Sequence, residues 1–139
     1  QGRLVTYQCR DWTGKNDPKY MAAHPSQEAI PIKDILYGMD KADGLDKVIL
    51  VEGVTDAWRI GVGALACFGI KYRPPQVRLL VKKFKQVVVA FDTEPQAKIQ
   101  AKKIIRELRT EGIAVEVIRL PKGRDPADLN QEEIKGLLR

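Results

Sequence analysis

A chain of 139 residues with 44% hydrophobic content is long enough to bury one core and has the length of a single compact domain. It contains no apolar run of membrane-crossing length and no basic-then-apolar leader, so it is read as soluble and cytoplasmic, with no membrane partner. Only Cys9 and Cys67 are present, far apart and without a partner pattern, so neither a disulfide framework nor a zinc site is indicated and two free, buried thiols are the expectation. The formal charge of +6 is uneven: residues 1–46 hold six Lys and Arg against seven Asp and Glu, residues 47–139 hold 18 against 11. Basic side chains around an acidic centre suit a polyanion approaching a metal. Taken singly, Lys82, Lys83, Lys98, Lys102, Lys103, Arg106 and Arg109 are equally explained as solvated helix faces.

In chain order, residues 3–8 read as a short strand, 13–18 as a turn on composition, and 38–46 as a surface connection rich in Gly and Asp. His24, the sole histidine, is expected in a surface loop. From Lys47 onward strands and helices alternate: strand 48–52, helix 55–63, strand 64–68, helix 74–83, strand 86–91, helix 95–111, strand 113–119 and helix 130–138. That alternation predicts an α/β fold, a wound parallel sheet with helices on both faces, preceded by a small N-terminal extension. The helix over 95–111 is the most strongly patterned. Ala97, Ala101, Ile104, Ile105 and Leu108 share one face, Pro95 suits the first position, Gly112 the stop, and Thr93 or Glu94 the N-cap.

The chemistry lies where the strands end. Glu52 follows the apolar run Val48-Ile49-Leu50-Val51, and Asp92 and Glu94 follow Val87-Val88-Val89-Ala90-Phe91. Carboxyl ends of parallel strands are where open α/β sheets place their sites, and acids gathered there repel one another unless a cation lies between them. Asp56, Asp92 and Glu94 taken one by one could equally serve the positive ends of helices. Their joint placement argues for a site: Asp92 and Glu94 are two apart, strand pairing can bring Glu52 beside them, and Gly53 removes a side chain where a phosphate or backbone needs close approach. A third acidic turn, Gly123-Arg124-Asp125-Pro126-Ala127-Asp128, follows the last strand.

Val51-Glu52-Gly53 with Asp56, the Gly69 turn, Phe91-Asp92-Thr93-Glu94 and Gly123-Arg124-Asp125-Pro126 together resemble the Toprim domain of bacterial-type primases, topoisomerases, some nucleases and recombination mediators. Upstream, Gly2-Arg3-Leu4-Val5-Thr6-Tyr7 with Arg10, Asp17-Pro18-Lys19-Tyr20, Lys33 and Leu36-Tyr37-Gly38 resemble the segment that precedes Toprim in DNA primase catalytic cores, and Val54 to Gly61 is closer in flavour to phage or mobile-element primases. The resemblance divides the chain into 1–46, the C-terminal part of the primase N-terminal core subdomain, and 47–139, the Toprim domain.

The resemblance implies a nucleotidyltransferase that makes short RNA primers on single-stranded DNA during replication, using Mg²⁺ or Mn²⁺. In it Glu52, Asp56, Asp92 and Glu94 would be catalytic, with Glu52, Asp92, Glu94 and Asp125 on the metal and Glu52 either ligand or general base. Lys19, Lys33, Gly53 and Gly69 would hold the incoming nucleoside triphosphate, and Arg3, Arg10 and Lys19 the template. The pattern departs from the family at Met21-Ala22-Ala23, where an Asn-Ser pair is common, at Ile70 for a threonine, at Asp92-Thr93-Glu94 for Asp-x-Asp, and at Ala127, with Asp128 one residue later. A chain opening at Gln1 within a strand is read as the excised core of a larger primase, served by a replicative helicase, separate or fused. A Toprim nuclease and a non-catalytic DNA-binding module are the alternatives, and Lys19 with the Leu-Tyr-Gly segment favours primase.

Overall fold

The computed structural model describes residues 3–118, 121, 124 and 126–139. Its centre is a four-stranded, fully parallel sheet of β3 (Lys47–Val51), β4 (Ala64–Ala66), β5 (Gln86–Val89) and β6 (Ala114–Val117), ordered β4-β3-β5-β6. Ahead of it, β1 (Gln8–Arg10) and β2 (Tyr20–Ala22) form an antiparallel pair. The runs Val48–Val51 of β3, Ala64–Ala66 of β4 and Val87–Val89 of β5 are apolar and buried because both faces are covered, the usual condition of parallel sheets, while β6 is an exposed edge that carries Glu116. Alternate side chains divide between the faces. Val48, Leu50, Leu65, Val87 and Val89 join one core cluster, while Ile49, Val51, Ala64, Ala66 and Val88 join the other.

Helices α2 (Pro74–Lys83) and α3 (Pro95–Thr110) cover the first face through Val77, Leu80, Ala97, Ile104 and Leu108. Helices α1 (Val54–Ile60) and α4 (Gln131–Leu138) cover the second through Ala57, Ile60 and Ile134. This allocation follows from right-handed crossovers: the step from β3 to β4 runs one way along the sheet, and the steps from β4 to β5 to β6 run the other, so α1 and the α2–α3 pair fall on opposite faces. The α/β architecture with helices on both faces is as the sequence pattern predicts. Helix 74–83 has the predicted bounds, Pro95 opens α3 from an N-cap at Glu94, and Gly112 follows its end. Glu94 makes no side-chain capping bond there.

Several local expectations are corrected. The first strand lies at Gln8–Arg10 rather than over 3–8, because pairing with Tyr20–Ala22 sets it. Helix α1 stops at Ile60, where Gly61 adopts a positive φ, rather than running to 63. The sheet strands end one to two residues earlier than predicted, so that Glu52 lies in the loop after β3 and the loop before α3 starts ahead of Asp92. Cys67 is buried, and burial pushes its thiol up to about 12, but Cys9 is exposed on the β1–β2 pair. The segment 38–46 is more than a surface connection: Ala42 is fully buried beside a short 3₁₀ turn at Met39–Lys41.

The extension is tied to the sheet by three devices. Tyr37 pairs with Ala66 in an isolated antiparallel bridge, Tyr37 N–H donating to Ala66 O at 3.0 Å and Ala66 N–H to Tyr37 O at 3.2 Å. Trp58 Nε1 donates to the Tyr37 hydroxyl at 2.6 Å. Gln76, fully buried on α2, donates from Nε2 to Ile35 O at 2.8 Å and Cys67 O at 3.0 Å, while its Oε1 accepts from Arg73 N–H at 2.9 Å. Gln76→Leu keeps the volume but strands the Arg73 N–H and the Ile35 carbonyl, while the Cys67 carbonyl keeps its bond from Lys33, so it should cost about 1–3 kcal/mol. An unchanged urea midpoint would show that these bonds hold nothing together.

Candidate active site at the strand switch point

The chain turns back on itself at β3: its successor β4 lies on one side and β5 on the other. In open α/β sheets the crevice at such a switch point, beyond the carboxyl ends of the strands, is where ligands bind. Here that crevice is bounded by the residues after β3 and after β5. Ala90 N–H still donates to Leu50 O at 2.9 Å and Cys67 N–H to Val51 O at 3.2 Å, so both flanks of β3 are held to its end.

Glu52 then takes over from the ladder in both directions. Its backbone carbonyl accepts from Gly69 N–H at 2.8 Å, and its side-chain Oε1 accepts from Asp92 N–H at 2.8 Å. One residue thus pins together the loops after β3, β4 and β5. The side chain is only 6% exposed. Burial raises its carboxyl to about 7, against the lowering effect of the Asp92 N–H bond, and the charges of Asp92, Asp56 and Glu94 add to the rise.

Gly53 and Asp56 complete the near side. A Cβ on Gly53 would lie 2.9 Å from Asp56 Oδ2, so the absence of a side chain is what lets the Asp56 carboxylate fold back over the start of α1. Asp92 and Glu94 are half-buried and exposed respectively, in the loop that leads into α3. The structure therefore gathers Glu52, Gly53, Asp56, Asp92 and Glu94 at one sheet edge. Asp125 and Gly123 lie outside the described residues.

Oxygen donors alone are offered, which is the donor chemistry of Mg²⁺ or Mn²⁺. Among the described residues no three His, Cys, Asp or Glu side chains converge into a complete ligand set. A carboxylate pair that leaves the remaining positions to water and phosphate is the open arrangement such ions accept. Burial is the main cause of the raised Glu52 carboxyl, and the charges of Asp92, Asp56 and Glu94 add a smaller part that a cation would relieve.

Lys33 is placed differently from a phosphate-binding side chain. Its Nζ donates to the carbonyls of Phe68 at 2.8 Å, Lys71 at 2.9 Å and Cys67 at 3.3 Å, and burial lowers its pKa. Phe68 has a φ of +58°, a conformation unfavourable for a side-chain-bearing residue, and this three-carbonyl clamp is what holds it. Gly69, the other member of that turn, presents its N–H to Glu52. Lys19 is exposed just before β2, with its carbonyl accepting from Asp11 N–H at 2.8 Å. Arg10 lies over the Tyr20 ring at 5.4 Å, and Arg3 is exposed. None of these three makes a described contact with the carboxylates. His24 is exposed, as expected, and caps a short 3₁₀ turn by accepting from Ser26 N–H.

Sequence reasoning missed Gln76. Its one signal was position: it sits on the stripe that Val77 and Leu80 bury, where a polar residue demands partners.

A parallel sheet with carboxylates at its switch point, entered from a Glu-Gly turn, defines the class. A model described as Toprim-like matches residues 49–130, and the chain belongs to that family. Within it, the chain is similar to bacterial DNA primases. It is 31% identical over 136 residues to the DNA primase of Staphylococcus epidermidis, an alignment that covers 92% of this chain and 22% of that relative's length. Its fold matches the zinc-binding and RNA polymerase domains of Aquifex aeolicus primase with a TM-score of 0.84 and 26% identity, covering 99% of this chain and 37% of that one. It also matches a DnaG primase catalytic domain solved bound to single-stranded DNA, with a TM-score of 0.76, 23% identity, and coverage of 97% and 46%, a likeness of fold.

Proposed function

We propose that this chain supplies the metal-binding, nucleotide-joining centre of a DNA primase, with residues 47–139 as the Toprim domain and 1–46 as the end of the preceding core subdomain. The observation that carries the reading is the position of Glu52, whose carbonyl and carboxylate join the loops after β3, β4 and β5 at the switch point. Asp92 and Glu94, with Asp125, would hold Mg²⁺. Bound there, the ion would supply charge neutralisation for the triphosphate and lower the pKa of the attacking hydroxyl.

The chain's own residues do the rest. Glu52 fixes the Asp92 backbone through Oε1, which leaves its second oxygen to receive the proton of the primer's 3′-hydroxyl. Lys33 and Gly69 shape the turn that is bonded to the Glu52 backbone carbonyl, and Gly53 leaves room for the Asp56 carboxylate to fold back beside Glu52. The substrates on this reading are nucleoside triphosphates and a single-stranded DNA template. The similarity to curated DNA primases along 92% of the chain supports them over a nuclease's water and duplex.

Primer synthesis from nucleoside triphosphates, assayed with the full-length gene product, tests the reading. Asp92→Asn and Glu52→Gln should each lower synthesis by at least about 100-fold, the scale on which a positioned proton acceptor acts. Lys19→Ala should lower synthesis while sparing any Mg²⁺-dependent cleavage. A protein that cuts DNA with Mg²⁺ and never extends a primer would be a Toprim nuclease instead.

A further inference from the structure

Beside the carboxylates, a groove of about 1160 Å³ runs between α3 and β6. Asp92 and Thr93 line it at one end, and Arg109 and Thr110 line it near the C-terminal end of α3. Its floor is apolar, built from Phe91, Ala101, Ile105, Val117 and Ile118. Its rim is basic: Lys98, Lys102, Arg106 and Arg109 stand at steps of four, four and three residues, which places them on one stripe of the helix. At 1.5 Å per residue the stripe is about 16 Å long, enough to run beside several phosphates.

Two features separate this stripe from an ordinary solvated helix face. The first is segregation of charge. No acidic residue of α3 lines the groove; Glu107 lies against α2, where it accepts from the Tyr72 hydroxyl at 2.8 Å. The second is that the cations are held in reserve. Among the described residues, ion pairs take up Lys47, Arg73, Lys83, Lys85 and Arg124, and none takes up a residue of α3. Arg109 is braced by a bond to the Val115 carbonyl of β6, which keeps its guanidinium on the rim.

We propose that the groove between α3 and β6 is a track for a single-stranded nucleic acid, whose phosphates lie along Lys98, Lys102, Arg106 and Arg109 and whose path leads to Asp92. Phosphates fit the cationic rim and unpaired bases fit the apolar floor, the combination used for sequence-tolerant single-strand binding. An acidic protein segment would satisfy the rim as well, and the test separates it. The proposal deepens the primase reading and rests on it for the identity of the strand.

The test is fluorescence anisotropy of a labelled 20-nucleotide oligothymidylate with this chain, at several salt concentrations and without added metal. The paired substitution Lys98→Glu/Lys102→Glu should weaken binding at least tenfold and reduce the slope of log affinity against log salt by about 1.4, since each phosphate contact on a single strand contributes about 0.7. Lys41→Glu/Lys135→Glu makes the same change of charge away from the groove and should alter affinity less than twofold. Thermal melts confirm that both pairs fold, and Lys98→Gln/Lys102→Gln replaces the first pair if it does not. Equal losses in the two pairs would mean that net charge alone attracts the DNA, and no loss in either would put the strand elsewhere; both overturn the track. So would a wild-type chain with no affinity for the oligonucleotide. Because the assay involves neither metal nor triphosphate, the failure of primer synthesis in the Asp92 and Glu52 variants is scored independently of it.

Discussion

Glu52→Gln should make the chain more stable at neutral pH. Glu52 is almost wholly buried, and its carboxyl is raised to about 7 from an ordinary value of 4.5. A carboxyl whose pKa is higher folded than unfolded favours the folded state in its neutral form. That contribution is full below about pH 4.5 and is lost as the pH rises through about 7. Glutamine keeps an acceptor for Asp92 N–H and never ionises, so it escapes the loss. The shift corresponds to at most about 3 kcal/mol, and a gain on the order of 1–3 kcal/mol is expected at about pH 8. The two proteins should converge as the pH is lowered toward 4.5, which metal-free urea titrations at both pH values would reveal. Parallel pH profiles would locate the neutral-pH instability somewhere other than Glu52.

Gly38→Ala should be among the most damaging single-methyl additions in the molecule. Gly38 has a φ of +87°, and a Cβ there would fall 2.4 Å from the Ala64 carbonyl oxygen, an atom of β4 that cannot move without disturbing the sheet. The left-handed conformation alone costs about 1–2 kcal/mol for a residue with a Cβ. The clash also falls next to the Tyr37–Ala66 bridge that fastens the extension to the edge of the sheet. A total above about 3 kcal/mol follows. Gly14→Ala is the control: Gly14 has a φ of +71° but nothing within 4 Å, so it pays only the conformational cost. Urea midpoints that fall equally in both variants would show that the packing against β4 is unimportant.

The sequence by itself determined the inventory of elements and the candidate acids. Uninterrupted apolar runs announce strands covered on both faces, and Val48 to Val51 and Val87 to Ala90 are buried as such runs should be. Pro95 and Gly112 bracket α3 for local reasons: the proline ring fixes a helical φ, and glycine accepts the positive φ of 84° that other residues resist. Glu52, Asp92 and Glu94 stand out because carboxylates directly after such runs fall at strand ends. The roles of side chains that bond across the fold were not legible. Lys33 is given to the incoming nucleotide by the resemblance, and in the fold it is a clamp on three carbonyls 34 to 38 residues away. Gln76, which no sequence pattern singles out, is a buried tie to Ile35 and Cys67.

The four cations of α3 read as a solvated face, and only the position of β6 turns them into the rim of a groove. The decisive step was the strand order. Periodicity records which face of its own element a residue occupies and carries no information about which strand lies alongside. The reversal at β3 that sets Glu52 between Gly69 and Asp92 is chosen by the crossovers and by the packing of both sheet faces, and these exist only once the chain has folded.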